Sequence, residues 1–127
     1  MREQVSQIEE RYQKNKLYPT LGRSLVEYVN ENFTCSELSQ QSIADYFGVA
    51  RPTVSKAFKE TMNMNFVDYL HKQRVAHAKM LVQAGNYDVL DVGRKSGYEN
   101  EVTFKRAFVK HEGITPREYV KCCRKIM

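Results

Sequence analysis

No stretch of this chain approaches the roughly 18 consecutive apolar residues that a membrane-spanning helix requires, so no membrane partner is implied. The charged start Met1-Arg2-Glu3-Gln4 does not lead into the apolar region of a signal peptide, and the cytoplasm is the expected location. Cysteine is sparse. Cys35 and the adjacent Cys122 and Cys123 are an odd number without metal-ligand spacing, which fits a reducing compartment and not a disulfide framework. His71, His77 and His111 are dispersed, and no pair has the spacing of a helical zinc motif. No Gly-rich phosphate loop or nucleophile elbow occurs. Catalysis is left without support, so the chain reads as a non-enzyme that needs no metal and no cofactor.

What the chain does have is an ordinary globular composition and an uneven charge. Its 127 residues are 42% hydrophobic and 28% charged, enough apolar material for one or two small cores. The net charge of +5 conceals an asymmetry: residues 1–50 carry a net of −2 and residues 51–127 a net of +7. Basic charge gathered on one part of a small protein points to a polyanionic partner, because neutralising phosphates releases their counterions. A merely solvated basic face is the plainer alternative.

The basic part is also a repeat. Thr53-Val54 matches Thr103-Phe104, Lys56-Ala57-Phe58 matches Arg106-Ala107-Phe108, and Met64-Asn65 matches Ile114-Thr115, all fifty positions apart. Asp68-Tyr69-Leu70 matches Glu118-Tyr119-Val120, and Arg74 matches Arg124. A fixed period of this kind marks a duplicated supersecondary unit.

Apolar spacing along the chain predicts helices and almost no strand. Val5, Ile8 and Tyr12 form a stripe too short to bury itself, so residues 1–19 read as a linker or docking segment. Thr20 is the expected cap of a helix carrying Leu21, Leu25, Tyr28 and Val29 and ending near Asn32. Ser39 caps a short helix with Ile43, Ala44 and Phe47 that stops at Gly48. Arg51 and Pro52 open the next, with Val54, Ala57 and Phe58 inward, and Asn63 ends it in a left-handed conformation. Asn65 is the expected cap of the longest helix, which carries Phe66, Leu70, Ala78 and Leu81 and breaks at Gly85-Asn86. Arg74 interrupts its stripe and is expected to pack its stem and bind a carboxylate or carbonyl groups. Asp88 caps a fifth element with Val89, Val92 and Gly93 that closes at Gly97. A sixth starts near Asn100 with Phe104, Ala107 and Phe108 inward and ends at Gly113, and Thr115-Pro116 opens the last.

Each copy thus joins two short helices through a tight turn at glycine: Ala44-x-x-x-Gly48 leads to Phe58, and Gly93-x-x-x-Gly97 leads to Phe108. A helix-turn-helix needs a small residue where its second helix crosses the first and a positive φ in the turn. Gly93 in mid-helix costs about 1 kcal/mol relative to alanine, which suggests a close approach there.

The run Gly97-Tyr98-Glu99-Asn100-Glu101-Val102-Thr103-Phe104-Lys105-Arg106-Ala107-Phe108, continued by Gly113-Ile114-Thr115-Pro116-Arg117-Glu118-Tyr119, resembles the DNA-binding domain of the AraC/XylS-type bacterial transcription regulators. The first copy matches through Ile43-Ala44, Phe47-Gly48-Val49, Val54-Ser55-Lys56 and Phe58-Lys59-Glu60. The resemblance implies an all-α fold of about seven helices, with two helix-turn-helix subdomains (residues 20–64 and 85–127) joined by a long connector helix (residues 65–84). It also implies that double-stranded DNA is the partner, that RNA polymerase is a further one, and that an N-terminal effector or receiver domain absent from this chain is another. The sequence departs from the family pattern at Ala50, which replaces a hydroxyl cap, at Pro52, and at Gly93 and Ser96.

On this reading two recognition helices occupy successive major-groove turns and regulate transcription. In the first, Arg51, Ser55 and Lys56 match positions that face bases in the family, and Lys59 meets phosphate. In the second the outward set is Asn100, Glu101, Thr103, Lys105 and Arg106, with Arg106 a base or phosphate contact. Glu101 either accepts from cytosine N4 or serves only as a helix N-terminal charge, and Thr103 either meets phosphate or completes local packing. The alternative function is a helical protein-interaction adaptor that keeps the fold without specific DNA binding.

Overall fold

The computed structural model describes residues 18–126. Within them the chain forms seven α-helices and no strand. These are α1 (Tyr18–Asn32), α2 (Gln40–Phe47), α3 (Arg51–Met62), α4 (Phe66–Gln83), α5 (Val89–Lys95), α6 (Glu101–Glu112) and α7 (Pro116–Ile126). The stripe of Val5, Ile8 and Tyr12 lies outside the described residues.

The fifty-residue period survives as geometry. α3 and α6 start and end fifty positions apart, and so do the starts of α4 and α7. Both α3 and α6 stop on a left-handed residue, Asn63 (φ 55°) and Gly113 (φ 82°), whose N–H bonds back to Lys59 O and Val109 O. The turns between the paired helices match as well. Val49 N donates to Ala44 O at 3.0 Å and Gly48 N to Asp45 O at 3.3 Å; Tyr98 N donates to Gly93 O at 2.9 Å and Gly97 N to Arg94 O at 3.1 Å. This pair of bonds is the Schellman termination, which satisfies carbonyls that a helix end would otherwise leave open.

One expected boundary is wrong. α1 begins at Tyr18, so Thr20 lies inside the helix and does not cap it.

The described chain divides into two compact units. The first contains α1 as far as Glu31 and the stretch Leu38–Val67; it buries Leu25, Val29, Ile43, Val54 and Phe58 completely. Here α1 runs close over α3, because a Cβ on Gly22 would fall 2.9 Å from Ala57 O.

The second unit contains Asn32–Glu37 and the chain from Asp68 onward. Its core gathers Val75, Ala78 and Val82 of α4, Val89 and Val92 of α5, Phe104 and Phe108 of α6 and Val120 of α7. Gly93 fills the expected role: a Cβ there would meet the Phe104 ring at 2.8 Å. Gly97 is constrained twice, by φ 107° and by Phe33 O, which a Cβ would approach to 2.6 Å. Arg74 is buried and structural, as its place in the apolar stripe implied. Its Nε donates to Phe33 O at 2.7 Å and its Nη2 to Cys35 O at 2.8 Å, and the guanidinium lies 5.3 Å from the Tyr98 ring centre.

Candidate nucleic-acid interface

In the first unit, α2 and α3 set up the surface. Ser39 holds the start of α2 through a reciprocal box with Ser42, each side chain bonded to the other's backbone. α3 begins at Arg51 after Ala50, whose backbone is extended but which offers no side-chain cap. Burial of Val54, Ala57 and Phe58 fixes the rotation of α3 and leaves Arg51, Pro52, Ser55, Lys56 and Lys59 exposed. Together with Gln40 of α2 these five line an open groove of about 670 Å³. Three cations in one groove make it electropositive. Gln40 also hydrogen-bonds through Nε2 to Ser55 Oγ.

In the second unit, α5 and α6 do the same work. Asp88 caps α5 by accepting from Leu90 N and Asp91 N at 3.1 and 3.2 Å. Asn100 caps α6, with Oδ1 accepting from Val102 N at 2.7 Å and Thr103 N at 3.2 Å. That oxygen is committed to the helix, which leaves the amide NH2 of Asn100 as its outward group. Glu101, Thr103, Lys105 and Arg106 are all exposed on α6, whose other face buries Phe104, Ala107 and Phe108.

The side chains expected at the interface therefore sit on exposed faces of two helices, five residues' worth of them in each unit counting Pro52 in the first. Four further features did not emerge from the sequence. Gln40 belongs to the α3 groove. Val102 is 56% exposed among the polar residues of α6. Arg117 of α7 donates through Nη2 to Glu101 Oε1 at 3.3 Å. Lys110, further along α6, is held by Asp68 at 3.1 Å.

Electrostatics near α6 is set by buried aromatics and caps. Burial pushes the Tyr98 hydroxyl up to about 12 against the opposing pull of Arg74. Its oxygen lies 2.6 Å from His71 Nδ1, and burial first, then Arg74, holds His71 below the usual imidazole range. The Glu118 carboxylate is held below its usual range by accepting from the Thr115 backbone. That bond is half of a capping box, since Thr115 Oγ1 accepts from Glu118 N at 3.1 Å. Among the described residues no three His, Cys, Asp or Glu side chains gather into a metal-binding group, and no helix is long and apolar enough to cross a membrane.

Comparison with known proteins matches this architecture. Residues 43–121 match the family described as a helix-turn-helix domain. The chain is similar to an uncharacterized HTH-type transcriptional regulator, YpdC, of Escherichia coli K12, with 29% identity over 99 residues that cover 78% of this chain and 34% of that protein. It is 24% identical over 101 residues to the arabinose operon regulatory protein of Salmonella typhimurium, covering 80% of this chain and 36% of that one. Among solved structures, the C-terminal domain of AraT, a response regulator from Geobacillus stearothermophilus, aligns with a TM-score of 0.76 at 25% identity, covering 80% of this chain and 84% of that domain. The chain spans about a third of the length of these curated relatives.

Proposed function

The chain belongs to the AraC-type helix-turn-helix family, and from that premise we propose that it binds double-stranded DNA sequence-specifically and regulates transcription. α3 and α6 are the recognition helices, each entering the major groove, with the two grooves about one turn apart on an extended site. The observation that carries this reading is the division of labour on those two helices. Their buried positions repeat, Val54-Ala57-Phe58 against Phe104-Ala107-Phe108, while Ser55 stands where Lys105 stands and Pro52 where Val102 does. One scaffold holding out two different surfaces suits a non-palindromic site read by a single chain.

In each half the cations divide the work. Arg51, Ser55 and Lys56 address base edges from α3, and Lys59 a phosphate; Arg106 and Lys105 do the same from α6, with Thr103 and the Asn100 amide at the start of the helix. RNA polymerase and an effector or receiver domain are further partners of a regulator of this kind.

A shift assay tests the reading. Replacing both Lys56 and Arg106 by alanine abolishes specific binding while the circular dichroism spectrum stays that of the parent, because both side chains are exposed. Unchanged affinity at moderate salt would remove both residues from the interface. The logarithm of the wild-type affinity should fall steeply and linearly with log salt, as phosphate neutralisation requires.

A further inference from the structure

Arg117 has no evident use in stabilising the fold. It is the second residue of α7, and a cation in the first turn opposes the helix dipole. Its bond to Glu101 joins side chains that are 69% and 50% exposed, and exposed pairs of this kind contribute little to stability. What the bond does is fix a carboxylate. Glu101 is the first residue of α6, and both side chains line a cavity of about 120 Å³ at the junction of α6 and α7.

A lone glutamate on a DNA-facing surface is repelled by phosphates and free to rotate away. Arg117 counters both effects, since it neutralises the charge and holds one oxygen in place. With Oε1 engaged, Oε2 is left to accept a second hydrogen bond. In the major groove, cytosine offers its N4 amine as a donor, whereas guanine offers only acceptors. Adenine offers a donor beside the N7 acceptor, which repels a carboxylate. We infer that Arg117 is a positioning residue which holds Glu101 as the acceptor for a cytosine N4 amine, so that this pair sets the base preference at one position of the site. The inference rests on the DNA-binding reading above.

Competition binding tests it, with the preferred DNA site altered one base pair at a time and four proteins: wild type, Glu101→Ala, Arg117→Ala and the double variant. Wild type should favour cytosine at one position by about tenfold. Both single variants should reduce that preference to within about twofold while preferences elsewhere persist, and the double variant should lose no more than either single one, as coupled residues require. Arg117→Lys, which keeps the charge, should retain most of the preference.

Uniform weakening of every site by Arg117→Ala, with a shallower salt dependence, would assign Arg117 to a phosphate and overturn the inference. An intact cytosine preference in Arg117→Ala would overturn it too, leaving DNA recognition itself standing. A wild-type protein with no preference at any position would instead overturn the DNA-binding reading, and this inference with it.

Discussion

Phe58 and Phe108 hold equivalent places in the two units, and each is at most 1% exposed. Replacing either by alanine leaves a cavity that rigid neighbours cannot fill, and should cost about 3–5 kcal/mol in a denaturant melt. An unshifted midpoint would show that the ring is not part of the core. At Gly93 the opposite change, added volume, is the damaging one. Alanine is the better helix former, but its Cβ would press on the buried Phe104 ring at 2.8 Å and force it to shift. Gly93→Ala should therefore destabilise the second unit by about 1–3 kcal/mol despite the gain in propensity.

His71 gives a pH dependence whose sign follows from its surroundings. Burial and Arg74 lower its pKa in the folded state, with His111 and Lys110 acting the same way and Asp68 opposing. The unfolded chain then binds the proton more readily, so the stability from keeping His71 neutral is complete above about pH 6.5 and declines as pH falls below that value. His77, lowered by burial, adds to the same trend. A thermal midpoint that drops between pH 7 and pH 5, less steeply in His71→Gln, is the expected result.

At the scale of elements, most helix limits were legible because they depend on local chemistry. Ser39, Asp88 and Asn100 cap as their side chains allow, and Asn63 and Gly113 terminate as left-handed residues. Thr20 misled because a threonine ahead of an apolar stripe is a cap signal whether or not helical backbone precedes it, and here Tyr18 and Pro19 are already helical. The Thr115–Glu118 box had a readable four-residue signature, whereas Gln40 and Arg117 had none. They lie 15 and 16 residues from the side chains they hold, and only packing of one helix on another brings them there. The candidate site was thus readable on α3 and α6, where burial periodicity fixes the outward face, and hidden where neighbouring helices supply the second partner. Ala50 offers a test of the local part. It has the extended backbone of an N-cap but no side-chain acceptor, and Thr53 N–H, which bonds to Ala50 O at 3.0 Å, lies in the first turn where a hydroxyl at 50 could share it. Ala50→Ser should stabilise the first unit by about 1 kcal/mol, and an unchanged melt would show that the backbone there does not permit the cap.

For the whole molecule, the duplication explains both what the two units share and where they differ. Shared residues are those a helix-turn-helix needs to close its core and turn: a small residue in the first helix, a Schellman end, and a phenylalanine on the second helix. Differing residues are those left exposed, and the basic charge of residues 51–127 accompanies them. Sequence-specific DNA binding through both α3 and α6 is the central claim. Its most direct test is selection of sites by the wild-type chain from random double-stranded DNA at moderate salt. Binding by both helices predicts an enriched, non-palindromic site with two informative patches centred about 10–10.5 base pairs apart. Retention of DNA with no enriched sequence, or with one informative patch only, would contradict it.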